Sequence, residues 1–225
     1  MSRRWTDAWV VVLMGAAVAC TPSEANHQKS AGAAPAAAER NEPTAARALR
    51  LVVAPQGNEA PYRVREQLLG LDFPNDAVGV TSGITGTIAF DDQGNLLPAE
   101  SKIVVDVTRL ASDKERRDGY VQRRLLATEQ HPTVVLVPHA VKGVKLPLPK
   151  SGVVKFELTG DLTVRGVTRP TTWRGEATFD DGRITGQAAT VFQFEDFGIE
   201  KPRVRSVLSV DDDIKLEYDF TVVAN

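Results

Sequence analysis

Polar and apolar positions alternate along residues 155–165. Lys155, Glu157, Thr159, Asp161, Thr163 and Arg165 take the odd places, with Phe156, Leu158, Gly160, Leu162 and Val164 between them. A period of two over such a run describes a β-strand with one wetted and one dry face. The chain then turns through residues 166–170, where Gly166 accepts a positive φ and Pro170 has no N–H for a ladder. Alternation resumes with Trp173, Gly175, Ala177 and Phe179 set against Thr172, Arg174, Glu176 and Thr178. These segments predict an antiparallel hairpin whose apolar side must be covered by the rest of the fold.

The same signal recurs elsewhere. Residues 83–90 run into Asp91-Asp92-Gln93-Gly94-Asn95, a turn by composition. Residues 102–108 alternate Ile103, Val105 and Val107 against polar or outward positions, and residues 133–137 are short and β-branched. Beyond the turn at Asp180-Asp181-Gly182, the apolar places fall at Ile184, Gly186, Ala188, Phe192 and Phe194, then at Ile214, Leu216, Tyr218, Phe220 and Val222. Residues 62–69 read as a weak first strand or a turn, with residues 49–53 as a segment before it. One region is helical by pattern: a Ser112 or Asp113 cap, then residues 116–126, with Arg123 and Arg124 near the end and Gly119 predicting a short or broken helix.

Seven or eight antiparallel strands with one or two short helices close into a barrel or stack as a sandwich. Gly86, Gly160, Gly175, Ala177, Gly186 and Ala188 fall on faces otherwise built from large apolar residues. Such residues either let strands bend or leave space inside, and the expectation here is space, since an eight-stranded barrel is just wide enough for one slender ligand. The candidate wall of that site is Phe90, Ile103, Val105, Phe156, Leu158, Leu162, Trp173, Phe179, Phe192, Phe194, Ile214, Leu216, Tyr218 and Phe220. The competing expectation is that these side chains fill a solid core and that the outer surface carries the function.

The first residues change the picture of where the protein works. Arg3 and Arg4 precede an uncharged apolar run over residues 8–19, too short for an ordinary transmembrane helix and suited to a secretory signal. Ala17-Val18-Ala19 is a small-residue cleavage site, and the single cysteine, Cys20, follows it directly. That placement resembles a bacterial lipobox, in which the cysteine is acylated and anchors the protein to a membrane facing the periplasm or cell exterior; ordinary cleavage to a soluble exported protein is the alternative. Residues 20–48 then form an Ala- and Pro-rich tether without apolar periodicity. The folded domain is expected over residues 49–225.

Charge and cysteine content exclude several classes. A formal charge of −2 gives no basic excess to favour nucleic acid, and a lone cysteine at the anchor leaves no disulfide framework, thiol nucleophile or thiolate metal site in the domain. There is no Gly-x-Ser-x-Gly elbow, His-Glu-x-x-His pair, phosphate loop or dinucleotide fingerprint. His131 and His139 lack a ligand pattern, and Asp211-Asp212-Asp213 lacks the spaced oxygens of a calcium loop. Arg117 and Asp118 stand out as a charged pair for a structural cap, a latch across the barrel mouth or a polar head group. Lys201, Arg203 and Arg205 form a basic loop.

Several ordered pieces resemble the YceI-like lipid-binding proteins of bacteria: Gly83-x-x-Gly86-x-Ile88-x-Phe90-Asp91; Leu110-Ala111-Ser112-Asp113 followed by Arg117-Asp118-Gly119-Tyr120; His131-Pro132; residues 160–170 from Gly160-Asp161-Leu162 to Pro170; and Asp196-Phe197-Gly198-Ile199. The resemblance implies an all-β, eight-stranded antiparallel lipocalin-like barrel whose tunnel holds a long-chain isoprenoid or similar amphiphile. It also implies binding without turnover, with no cofactor beyond a non-covalently held lipid. The chain departs from the family pattern in lacking an early His-Ser, in carrying Arg165 where many members have His, and in adding the tether and Cys20.

Overall fold

The computed structural model describes residues 49–225; the signal peptide, Cys20 and the tether expected before them lie outside the described residues. The strands are β1 (Leu49–Val53), β2 (Ala60–Leu68), β3 (Asn75–Thr81), β4 (Ile84–Phe90), β5 (Lys102–Asp106), β6 (Ala111–Ser112), β7 (Thr133–Lys142), β8 (Ser151–Val164), β9 (Val167–Asp180), β10 (Arg183–Gln193) and β11 (Val207–Ala224). Helix α1 (Glu115–Tyr120) continues as a π-helical turn (Val121–Leu126), so the helix is broken just after Gly119.

These strands make one antiparallel sheet closed into an eight-membered ring. The count becomes clear once interrupted strands are joined. β1 pairs with β4 (Leu49↔Phe90) and β2 with β3 (Ala60↔Thr81), so residues 49–90 form one long hairpin with an irregularity at residues 54–59. Its first arm lies along β11, from Leu51↔Ala224 to Val207↔Leu68, and closes the barrel. The remaining neighbours follow in chain order, β4–β5–β7–β8–β9–β10–β11. A meander of this kind leaves no long free edge, as barrels generally do not.

The hairpin read from sequence is present with a tighter turn than expected. β8 and β9 are joined by Arg165 and Gly166 alone, both with positive φ (50° and 75°), and Val164 faces Val167. Two left-handed residues give the turn whose twist suits a hairpin. Residues 167–170 therefore belong to the strand, and Pro170 opposes Asp161. The segment at residues 62–69 is a full strand, and Asn75–Thr81, which the pattern did not single out, is its partner.

The irregularity at residues 54–59 is held by Asn58, a buried polar residue. Its Nδ2 donates to the Ala54 carbonyl at 2.8 Å, while its Oδ1 accepts from the Thr221 N–H at 3.0 Å and the Tyr218 hydroxyl at 3.1 Å. One side chain thus replaces the ladder bonds that the interrupted strand cannot supply.

At the inner-face glycines the missing side chain serves close contact, whereas Ala177 and Ala188 do border free space inside the barrel. A Cβ on Gly175 would lie 2.1 Å from the Gln187 carbonyl oxygen and 2.9 Å from Cζ of Phe156. At Gly186 it would meet the Glu176 carbonyl oxygen at 2.1 Å and Cζ of Phe220 at 2.6 Å. The rings of Phe156 and Phe220 pack edge to face, 6.0 Å apart, over the space these glycines leave.

Candidate ligand cavity

The barrel interior is not filled by its own side chains. A cavity of about 510 Å³ occupies the end walled by β2, β3, α1 and the start of β11, and a second of about 100 Å³ lies toward the end where β1, β4 and the close of β11 meet. Both are lined by Ile103, Leu136, Trp173 and Tyr218, which form the collar between them. The narrow chamber is floored by a second apolar cluster around Phe90, Phe179, Ile184 and Val222, with Val144, Leu146 and Leu148 packed over it.

Each residue expected on the wall has a definite place. Ile103, Val105, Leu162, Trp173, Phe192, Phe194, Ile214, Leu216 and Tyr218 line the large chamber. Phe90, Phe156, Leu158, Phe179 and Phe220 line the small one. Period two brings them inward, and antiparallel register stacks them: Leu158 opposes Trp173, and Phe192 opposes Ile214. Phe192 also meets Phe197 edge to face at 4.7 Å. Phe197 and Ile199, from the Asp-Phe-Gly-Ile motif, are buried, and the Ile199 side chain reaches the cavity.

Polar groups gather at one end of the cavity. Along β2 the inward stripe reads Tyr62, Val64, Glu66 and Leu68, so a carboxylate stands on an otherwise apolar wall. Arg117 of α1 donates through Nη2 to Glu66 Oε1 at 2.7 Å and through Nη1 to Asp113 Oδ1 at 2.5 Å. Burial works to lower the Arg117 pKa, but the Glu66 and Asp113 carboxylates outweigh it and hold the guanidinium above its usual value. The Tyr62 ring lies against Gly79, its cross-strand partner, where any Cβ would come within 2.4 Å of Cε1. Burial raises the Tyr62 phenol to about 12.

Arg117 and Asp118 do not pair with each other. Asp118 Oδ1 accepts from the Ser112 N–H at 2.9 Å and the Ser112 hydroxyl at 2.6 Å, which ties the start of α1 to β6. The Leu-Ala-Ser-Asp and Arg-Asp motifs are thus one corner in three dimensions, capping the mouth. Sequence reading missed Tyr62, Glu66, Leu136 and Asn58. A single charge on the apolar side of a short alternating run, as Glu66 stands among Tyr62, Val64 and Leu68 in β2, was the available signal.

The other candidates stay apart from the cavity. His139 Nε2 lies 3.3 Å from Asp161 on the barrel exterior, and His131 abuts Gly166. Among the described residues no cluster of three or more metal-ligating side chains occurs. Asp212 pairs with Lys201 at 2.8 Å and Asp213 accepts from Gln193, both beside a register shift in β11.

A closed antiparallel barrel with an apolar interior, wide at one end and polar only there, defines a lipocalin-like small-molecule binding fold. The family comparison is specific: residues 54–222 match the YceI-like domain, and the chain belongs to that family. It is 31% identical over 183 residues to a UPF0312 protein of Pseudomonas putida strain GB-1, covering 74% of this chain and 90% of that protein. Among solved structures, a polyisoprenoid binding domain from Saccharophagus degradans implicated in plant cell wall breakdown superposes with a TM-score of 0.60 at 11% identity, covering 79% of this chain and 98% of that one. Burkholderia cenocepacia BcnA gives 0.55 at 14% identity, with 75% and 98% covered. At these identities the two structures show the shared fold.

Proposed function

We propose that this protein binds one long apolar or amphiphilic molecule, isoprenoid-like in character, inside the barrel, and acts as a carrier or reservoir without turning its ligand over. The observation that carries the reading is the 510 Å³ apolar cavity continued past the Ile103–Trp173 collar by a smaller chamber. The tail end of a ligand meets only hydrocarbon there, while its head meets Tyr62, Glu66 and Arg117. Burying roughly ten methylene equivalents is worth about 8 kcal/mol before the cost of association. Micromolar binding thus needs little help from polar contacts. The polyisoprenoid-binding structural relative supports the chemical class.

The carrier is proposed to be exported and tethered to a membrane through acylated Cys20, with residues 21–48 as spacer. Organic extraction of the purified protein followed by mass spectrometry tests the cargo. A near-stoichiometric lipid is expected. Protein that is empty and also ignores fluorescent lipid analogues would overturn the reading. Mass analysis of the mature N-terminus tests the anchor, which Cys20→Ser should abolish.

A further inference from the structure

Five of the large apolar side chains left exposed by the barrel fall at one end of it. Leu69 (66% exposed), Leu71 (49%) and Phe73 (80%) occupy the β2–β3 turn; Val204 (37%) and Leu208 (61%) belong to the segment entering β11. The two segments are bonded to each other, with the Leu69 N–H donating to the Ser206 carbonyl at 2.9 Å and Val207 opposite Leu68. The remaining exposed apolar residues, Val153, Val191 and Val223, sit singly on strands elsewhere.

This apolar tip is continuous with the cavity, because Leu69 and Val204 also line the mouth of the large chamber. Three arginines around it, Arg116, Arg203 and Arg205, make no ion pair among the described residues, and neither do the carboxylates Asp72, Glu115 and Glu200 beside them. Exposed apolar area continuous with an apolar cavity, beside free guanidinium groups, suits a bilayer interface, where the apolar groups reach the acyl boundary and guanidinium groups meet phosphates. Among the described residues no helix is long and apolar enough to cross a membrane.

We infer that the turn carrying Leu71 and Phe73, with the Val204–Leu208 segment, docks the open end of the barrel onto a phospholipid surface, so that cargo passes between bilayer and cavity without crossing water. The transfer role rests on the carrier reading; the docking does not, and it is measured by itself. The three unpaired arginines are balanced by three unpaired carboxylates, so the binding comes from the apolar tip.

The test uses the full chain with Cys20→Ser, which removes the acyl anchor and the only cysteine. A single cysteine is then placed at Phe73 (Phe73→Cys) or, as control, at Val153 (Val153→Cys) and labelled with an environment-sensitive fluorophore. Vesicles of phosphatidylcholine with phosphatidylglycerol should raise and blue-shift the emission at position 73 severalfold and leave position 153 unchanged. In flotation with the same vesicles, Leu71→Ser/Phe73→Ser should lose at least tenfold in binding relative to the Cys20→Ser parent, while retaining its lipid cargo. No emission change at position 73, an equal change at position 153, or undiminished flotation of the double variant would overturn the docking. So would a change at position 73 that needs only higher protein concentration, which would assign the tip to a second copy of the chain.

Discussion

Arg117 of helix α1 and Glu66 of strand β2 meet at 2.7 Å across the wide end of the cavity, with 15% and 8% of their side chains exposed. Breaking one partner of such a pair leaves the other charged and poorly solvated. Arg117→Ala should therefore destabilise the barrel by about 2–4 kcal/mol, somewhat less than a fully enclosed pair because water reaches the mouth. Glu66→Leu with Arg117→Met should recover most of that loss. Urea unfolding of both variants measures the difference.

The two chambers predict opposite outcomes for added bulk. Val105→Trp projects into the 510 Å³ chamber and should abolish uptake of a fluorescent lipid analogue while changing stability by less than about 1 kcal/mol. Leu158→Trp enters the 100 Å³ chamber, which has far less free volume, and should cost about 1–3 kcal/mol. Paired ligand titrations and denaturant curves for the two variants check this. Equal destabilisation would mean that the large chamber cannot accept a ring.

Gly175 has no room for even a methyl group, since the Gln187 carbonyl oxygen lies 2.1 Å from the Cβ position. That neighbour is backbone and cannot swing aside. Gly175→Ala should lower stability by about 1–3 kcal/mol and part β9 from β10 locally, seen as faster amide exchange at residues 187–189.

Alkaline pH should unfold the barrel through its buried phenols. Burial raises Tyr62 from 10.0 to about 12, against a smaller opposing effect of Arg117, and burial raises Tyr218 as well. The folded state therefore holds these protons more tightly than the unfolded chain. Their contribution is complete below the unfolded pKa near 10 and is lost as pH rises toward the folded values. Stability should fall above about pH 10 by up to about 1.4 kcal/mol per pH unit for each tyrosine, and Tyr62→Phe should flatten the slope. Tyrosinate absorbance followed alongside circular dichroism reads both events.

Much of this protein was legible along the chain because period two is a local property. Phe156, Leu158 and Leu162 face inward in β8 since their own spacing puts them on one side, and the ordered motifs from Gly83 to Ile199 placed those strands in a barrel of known kind. Local rules failed where partners lie far apart in sequence. Residues 62–69 read as a weak strand because Glu66 interrupts an apolar stripe, and its partner Arg117 comes 51 residues later. The same holds for Asn58, whose oxygen serves Tyr218 and Thr221 from the other end of the chain.

What the sequence determined by itself is which face of each alternating strand is apolar; what only the tertiary structure decided is where the interior those faces enclose stays empty. Gly175 and Gly186 suggested space, yet rings and carbonyls from neighbouring strands crowd them, and the larger void opens beside Tyr62, Leu136 and Leu162. Facing direction is set by adjacent residues, whereas free volume is the remainder after every strand has been brought to its register, and no stretch of chain contains that sum.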